Sequence, residues 1–424
     1  MKSSFKVIIV GGGPVGLTAA HALQHAGIDF VVLERRSSIY DDVGASLVLR
    51  PSSLRVMHQL GLLDKLRSIG TAIHTGGSFT AEGFKFRRGD EVFPAIQANL
   101  GTLPPASTQA SASPTSPPSS DAPDAPAPAR VTCADGSIYE GDLVLGADGV
   151  HSIVRRIMRA QLLASDPAPA PASADIDPEN PFTTYYRTMW FSFPAPRLAS
   201  RAPPPTPTPT KLDHPTTERR SYSEQERAQY WRLFRDLAVT DKYKVGDLYP
   251  TRYSDGMANL EEGVLRRWHH GRIVLAGDAC HKATPNLGLG FNNGLQDVVA
   301  LVNRLHPLLS SPSLAPEHAD AKPDAQALDV ALAGYQTARM LLAPDDHYIS
   351  SVVTRLWAWH NTIYWFLDRY LLPILPGMDA WVANASAQAE CKGEVLDYIP
   401  ADEPFVGKVP WVHAMPSLVA KDSA

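Results

Sequence analysis

Apolar residues in this chain come in short blocks that end at glycines, and the blocks alternate with stretches of helical spacing. Lys6–Val10 holds four consecutive apolar residues stopped by Gly11, which predicts a central parallel strand buried on both faces. Residues 14–26 space Leu17, Ala20, Leu23 and Gln24 along a helix until Gly27 stops it. Residues 30–33 form a second apolar run that ends at Glu34. These three elements predict the opening of a βαβ unit. The pattern returns at residues 143–145, which end in a turn before a helix beginning near Ser152. It returns again at residues 272–276, a predicted buried strand, followed by a glycine-rich stretch and a predicted helix over 293–305.

Four tracts break this alternation. Residues 101–129, 163–177, 198–217 and 311–326 are dominated by Pro, Ala, Ser and Thr and offer little that could fill a core. Such composition cannot offset the entropy of ordering, so loops or linkers are expected there. Loops of this length are uncommon inside a compact domain. They are expected either as true inserts or as errors of exon assignment. The chain divides at them into residues 1–160, 178–260, 261–310 and a helical region over 327–424. No internal repeat of useful length is present.

Composition narrows the class. With 424 residues, 44% of them hydrophobic and 20% charged, the chain can bury a large core and is expected to form two intertwined sub-domains. A net charge of -5 supplies no basic field for nucleic acid. Cys133, Cys280 and Cys391 are odd in number and lack metal-ligand spacing, which points to reduced, buried thiols and no metal. The apolar run before Gly11 is too short for a signal-peptide core. An intracellular protein is expected, cytoplasmic or associated with an internal membrane.

The glycine turn carries the first chemistry. Gly11 permits a tight turn after the strand, Gly13 lets the backbone approach a diphosphate, and Gly16 lets the helix pack closely. The helix start then offers amides and a positive dipole end to phosphates. Glu34 lies where an acidic side chain accepts hydrogen bonds from an adenosine ribose. The motif specifies a dinucleotide without saying which, and an NAD-dependent dehydrogenase built on this turn alone stays open.

A second segment narrows the choice. Gly277-Asp278 ends the predicted strand over 272–276, and the amides of Gly290, Phe291 and Asn292 open the helix behind it. A helix start of this kind favours an electron-rich ring edge that gains negative charge. Asp278 suits a sugar-alcohol chain, or a diphosphate through water. The competing reading is an ordinary strand, turn and helix capped by Asp278. A third segment, Gly146-Ala147-Asp148-Gly149-Val150-His151-Ser152, ends the run at 143–145, with Arg155 as a charge-assisted donor to phosphate. Standing alone, it reads equally as a plain turn with a surface arginine.

With these motifs in place, the chain resembles the class A flavoprotein monooxygenases of the p-hydroxybenzoate hydroxylase fold. More narrowly, it resembles the fungal FAD-dependent monooxygenases and epoxidases of indole-diterpene and meroterpenoid pathways. The likeness rests on Leu33-Glu34-Arg35-Arg36, Gly44-Ala45-Ser46, Gln59-Leu60-Gly61-Leu62-Leu63-Asp64, Lys244-Val245-Gly246-Asp247-Leu248-Tyr249, and Glu261-Glu262-Gly263 through Trp268-His269-His270-Gly271-Arg272. It continues through Gly277-Asp278-Ala279-Cys280-His281-Lys282-Ala283-Thr284-Pro285-Asn286. It covers roughly residues 5–95, 130–160, 180–196 and 220–310.

The resemblance implies an α/β fold. A Rossmann-like FAD-binding domain is interleaved with a mixed-sheet substrate domain and followed by a helical C-terminal region. It implies FAD as cofactor and NAD(P)H as co-substrate, with oxygen delivered to a hydrophobic, prenylated small molecule as an epoxide or hydroxyl. Cofactor contacts are implied at Gly11, Gly13, Gly16, Glu34, Val48, Asp148, Asp278, Gly290 and Phe291. The stretch from Phe182 to Trp190 resembles the strand over the flavin, and makes Arg187 the catalytic residue, able to stabilise negative charge developing on oxygen. A surface arginine on a half-exposed strand is the other reading.

Departures from the family pattern are plain. The segment after Phe93, where relatives carry a helix with an FAD-contacting arginine, is replaced by the tract over 101–129. Residues 196–220 stand where relatives supply strands and a candidate catalytic tyrosine, so the substrate domain is expected to be truncated. Val48 and Phe291 replace the usual glycine and alanine. A flavin-binding relative without turnover therefore stands as the alternative function.

Residues 348–375 are rich in aromatic residues, among them Trp357, Trp359, Trp365 and Phe366, and are interrupted by Arg355, Asp368 and Arg369. The charges recur too often for a spanning helix. Two readings remain: an interfacial helix in contact with a membrane surface, or an apolar helix packed over the substrate channel. Oligomeric state is not legible.

Overall fold

The structure, a computed structural model, describes residues 5–37, 47–69, 75–80, 83–88, 98–100, 128–165, 176–193, 210–237, 243–310, 322–376, 378–404 and 409–417. The expected contacts around residues 44–46, and the replaced segment between 89 and 127 apart from the strand Ala98–Leu100, lie outside the described residues.

The apolar blocks become a five-stranded sheet. Lys6–Val10 pairs in parallel with Asp29–Leu33 on one side and Leu143–Gly146 on the other. Ile273–Leu275 extends the parallel array, and His269–His270 closes its edge antiparallel. The register sets Leu33 and Gly146 each beside Val10, and Leu275 beside Gly146. Four strands therefore end level, on the edge where open parallel sheets bind ligands. Glu34, Gly11, Asp148 and Gly277-Asp278 come just after those strand ends.

Helices cover the sheet. Pro14–His25 buries Ala19, Ala22 and Leu23, and stops where Gly27 takes a positive φ of 70°. Leu289–Ser310 is longer than its pattern predicts, opening at residue 289 where 293 is expected. Gly288, left-handed at φ 62°, closes the short turn Pro285–Leu287 so that the helix begins at once. Its first-turn amides thus include those of Gly290, Phe291 and Asn292.

A second, antiparallel sheet has the order Thr210–Thr216, Thr183–Ser192, Ser254–Val264, His281–Lys282. Its last strand follows two residues after the turn Gly277–Ala279, so the chain passes directly from the parallel sheet to this one. Part of the tract over 198–217, expected as loop, forms the edge strand Thr210–Thr216. Pro215 is compatible with that place, because an edge strand can lack a ladder donor. The tract over 163–177 is also shorter than expected: Ile153–Ser165 stays helical to its last residue, and the Asp177 carboxylate accepts from the amide of Arg266 at 3.0 Å. Cys280 and Cys391 are buried as expected, whereas Cys133 is only partly so.

The C-terminal region is helical and then returns as a strap. Residues beyond Met378–Glu390 run back over Pro51–Gln59, where the fully buried Arg55 guanidinium donates to Glu403 at 2.6 Å and to the His413 carbonyl at 2.7 Å. The Trp411 ring lies 4.1 Å from the same guanidinium. On helix Ala343–Trp357, Ala343, Ser350, Ser351 and Thr354 are buried, Val352, Val353 and Leu356 are half-buried, and Tyr348, Ile349 and Trp357 are exposed.

Candidate active site

The three glycines of the first turn have distinct surroundings. A Cβ on Gly11, whose φ is 114°, would stand 2.3 Å from the Ala147 carbonyl oxygen, and one on Gly16 would stand 2.0 Å from that of Gly11. Both positions are filled by packing. A Cβ on Gly13 would meet nothing within 4 Å, so open space lies over the helix start. That helix has no side-chain cap, a proline in its first turn and no acidic residue there. Its free amides are left for an anion.

Glu34 folds over this turn. One carboxylate oxygen accepts from the Gly12 amide at 2.7 Å, and the other from the amide and Nε of Arg36 at 2.9 and 3.2 Å. Burial works against the charge, but these donors and the Arg36 guanidinium outweigh it and hold the carboxyl below the usual carboxylate range. The oxygen bound to Gly12 keeps a second lone-pair direction, so a hydroxyl can still be accepted there.

Asp148 sits beneath Gly11, its Cα 3.0 Å from where a Gly11 Cβ would be. Its carboxylate caps the helix Ile153–Ser165 by accepting from the amides of Ile153 and Val154 at 2.7 and 3.2 Å and from the Ser152 hydroxyl. The expectation that Arg155 meets a phosphate is corrected. Its guanidinium is buried and donates to the carbonyls of Ala279 at 2.9 Å and Val150 at 2.7 Å, tying this turn to the Gly277 segment.

The Gly277 segment is anchored from behind by Asp297, which is fully buried. Asp297 accepts from the Gly277 amide at 2.8 Å, pairs with His281 Nε2 at 2.7 Å and binds Arg339 Nε at 2.7 Å. Burial alone would raise its carboxyl, yet His281 and Arg339 hold it down to about 2. Cys280, His281 and Asp297 are close enough to share a metal ion, but this carboxylate is already occupied by three donors. Burial pushes the Cys280 thiol well up, which keeps it protonated. Asp278 faces the other way and is bridged by the Lys282 ammonium. Glu261 stands nearby, 3.9 Å from His151 Nε2, its carboxyl raised by burial.

Asn292 joins the second helix start to the strand Leu47–Leu49. Its amide donates to the carbonyls of Val48 at 2.8 Å and Gly288 at 2.6 Å, and its oxygen accepts from the Arg50 amide at 2.9 Å and Ser53 Oγ at 2.7 Å. Val48 Cβ lies 3.4 Å from where a Gly288 Cβ would be, so valine is accommodated against a glycine. Gly290 is open apart from Asp278 Oδ1, 3.7 Å from its would-be Cβ. The Phe291 side chain packs partly buried against the main core.

Arg187 is on Thr183–Ser192, opposite Asn259 in the ladder. Its guanidinium lies 5.2 Å from the Tyr230 ring, and its Nε is buried without a hydrogen-bond partner. Tyr222 donates to Asn259 Oδ1 at 2.6 Å, and Tyr230 donates to Thr210 Oγ1 at 2.6 Å. Burial raises both phenols against the pull of Arg187. A tyrosine does therefore stand beside Arg187, contrary to expectation. The overlooked signal is Ser223-x-x-Glu226, a capping box that opens the helix Glu224–Tyr230 and fixes Tyr222 just ahead of it.

The donor set fits FAD. Open space over Gly13, uncapped amides at the first helix start and a carboxylate oxygen with a spare lone pair lie after the level strand ends. The family model for an FAD binding domain matches residues 4–120 and 125–315. FAD-dependent monooxygenase srdH of Neurospora crassa is 31% identical, covering 96% of this chain and 98% of its own. FAD-dependent monooxygenase spyC of Aspergillus fumigatus is also 31% identical, over 94% of this chain and 89% of its own. Among solved structures, Klebsiella pneumoniae HpxO complexed with FAD and uric acid shares the fold, with a TM-score of 0.62 at 17% identity over 92% of this chain and 97% of its own. The matched family model spans the glycine turn, Asp148 and the Gly277 segment alike, and the chain belongs to the FAD-binding-domain family, as one of its FAD-dependent monooxygenases.

Proposed function

We propose that this enzyme uses NAD(P)H and O2 to epoxidise or hydroxylate a hydrophobic, prenylated secondary metabolite. The observation that carries the reading is the level alignment of four strand ends, which gathers Glu34, Gly11, Asp148 and Gly277-Asp278 around open space at Gly13. In this reading the free amides after Gly13 hold the diphosphate, with Gly11 and Gly16 shaping the turn. Glu34 accepts from the adenosine ribose, and Asp278 from the ribityl chain. The amides at Gly290 and Phe291 face the flavin edge, with Val48 beside them and Asp148 supporting the turn from below. FAD, when bound, supplies the oxygen-activating chemistry.

Arg187 is assigned to stabilise negative charge that develops on the transferred or leaving oxygen. Its buried, unpartnered Nε supports this, since a donor without a partner inside a protein is ready to meet an acceptor. Tyr222, held by Asn259, positions the substrate beside it. The strand Thr210–Thr216 and Tyr222 fill part of the wall expected to be missing, which favours turnover over a flavin binder without activity. The relatives' designation as FAD-dependent monooxygenases supports the reaction class. The test is incubation of the FAD-loaded enzyme with NADPH or NADH, a prenylated aromatic panel and isotopically labelled O2. Incorporation of one labelled oxygen atom is expected; reductant consumed only to peroxide with every substrate would overturn the reading.

A further inference from the structure

The face of the antiparallel sheet that carries Arg187 holds a row of polar side chains, several of them unpaired. Directly opposed residues of an antiparallel ladder share a face, and so do residues two apart along a strand. Arg187 lies opposite Asn259 and Thr184 opposite Glu261, with Tyr185 as the extra residue of a bulge between them. Arg187, Asn259, Glu261 and Thr184 therefore point to one side. Lys282, opposite Gly263, extends the same row and bridges Asp278. The row thus runs from Arg187 and Tyr222 to the carboxylate assigned to the ribityl chain.

Thr184 and Glu261, which the proposed reaction leaves without a role, are not satisfied by the protein. Thr184 is 1% exposed and its hydroxyl has no hydrogen-bond partner. Its neighbour on the other flank, Thr216, has its hydroxyl turned to the Glu218 amide at 3.0 Å. Among the described residues, Glu261 has no ion-pair partner closer than His151 Nε2 at 3.9 Å. Burial and the Arg219 and Arg155 charges push that ring toward its neutral form. Lys282 is spent on Asp278, and Arg155 on the Ala279 and Val150 carbonyls. Burial raises the Glu261 carboxyl, and the pull of Lys282 and Arg219 does not offset it. Buried polar groups without partners cost free energy that a bound molecule can recover by supplying them.

The unpaired groups state what that molecule must carry. Arg187 Nε is a donor and needs an acceptor oxygen. Glu261 needs a donor, and a hydroxyl given to it can accept from the Thr184 hydroxyl in turn. Asn259 and Glu261 are two residues apart, about 7 Å along the strand, which is roughly the span of a ring with oxygens on opposite sides. On the far side of Arg187 the next rung of this face is Met189 opposite Met257, both in the apolar cluster around Val245 and Leu248. The row is therefore polar toward Asp278 and apolar at its other end. We propose that Thr184 and Glu261 form a specificity subsite for a free ring hydroxyl of the substrate, with Arg187 meeting an oxygen across the ring and the prenyl chain directed toward Met189 and Met257. The substrate class is then a hydroxylated ring bearing an apolar chain. This rests on the monooxygenase reading for the placement of substrate on this face, but binding there does not require turnover.

The test titrates the FAD-loaded full chain with prenylated phenols and with their methyl ethers, following flavin absorbance without reductant so that binding is read apart from turnover. Wild type should bind the phenols about tenfold or more tightly than the ethers. Glu261→Met and Thr184→Val should each remove most of that preference, Glu261→Gln part of it, and Thr184→Ser should keep it, all with unchanged FAD content. Phenols and ethers bound equally by wild type, or weakened equally by the substitutions as a structural role would have it, overturn the proposal. So does failure of every phenol to bind, or a rise in KM for NADPH in place of the phenol effect. A preference for phenols that the substitutions erase, found without labelled oxygen in any product, would support the subsite while overturning the monooxygenation reading.

Discussion

Val15, one residue inside the first helix, presses its Cγ2 to 3.1 Å from where a Cβ on Gly277 would sit, although 262 residues of chain separate them. The same methyl lies 2.5 Å from the would-be Cβ of Gly294, so three motif segments converge on one side chain. Gly294→Ala should therefore destabilise the protein by about 1–3 kcal/mol through overpacking. Adding Val15→Ala should recover most of that loss, because the obstructing methyls are removed. Denaturant unfolding of the two single variants and the double variant measures the coupling, and strict additivity would contradict the contact.

Gly13 and Gly16 separate ligand space from packing space. Gly16→Ala places a Cβ 2.0 Å from the Gly11 oxygen and should destabilise the fold by about 2 kcal/mol or more. Gly13→Ala meets no protein atom within 4 Å and should leave stability within about 0.5 kcal/mol, while FAD affinity falls. Thermal unfolding without FAD, set beside fluorescence titration with FAD, distinguishes the two.

Asp297 makes the stability pH-dependent. Its carboxyl is depressed to about 2 in the folded chain, so its contribution is fully present above the unfolded carboxylate range near pH 4 and is lost as pH falls toward 2. Asp297→Asn leaves Arg339 buried without its anion and should cost about 3–5 kcal/mol at neutral pH. Urea unfolding at falling pH should show the gap between wild type and variant closing below pH 4. A constant gap would mean that Asp297 contributes no charge.

Arg187→Gln should lower the rate of oxygenated product formation about 10²–10³-fold, the effect expected for losing a charge-stabilising donor, with FAD content unchanged. Tyr222→Phe should chiefly raise KM and the fraction of reductant diverted to peroxide, if Tyr222, held by Asn259, positions the substrate as proposed. Product and peroxide quantified together give both values. Equal coupling in the wild type and both variants would remove these residues from the active site.

The parallel sheet was legible because glycines at the ends of apolar runs mark where strands stop and turns begin. The chain after Leu33, Val10, Gly146 and Leu275 carries the motifs, and the register sets those residues level. Helix onset was less legible: Gly288 in the left-handed conformation starts the helix at Leu289, ahead of the apolar spacing that shows from residue 293. Composition misjudged Thr210–Thr216, whose pairing depends on the neighbouring strand Thr183–Ser192 more than on its own residues. Arg155 illustrates a different limit. An arginine beside a polar turn reads as a phosphate donor, but only tertiary packing shows its guanidinium bonded to the Val150 and Ala279 carbonyls. Tyr222 was hidden by the tract before it, although the capping box behind it was in plain view.

The central claim is that four level strand ends and two helix starts, the first of them uncapped, grip one FAD. Its most direct test is the flavin released on denaturing the purified chain, quantified against protein, for wild type and for Gly13→Ala. The account predicts a yellow wild-type protein that yields FAD at about one per chain, and a folded variant that yields much less. A correctly folded wild type that stays colourless after reconstitution with excess FAD would contradict it.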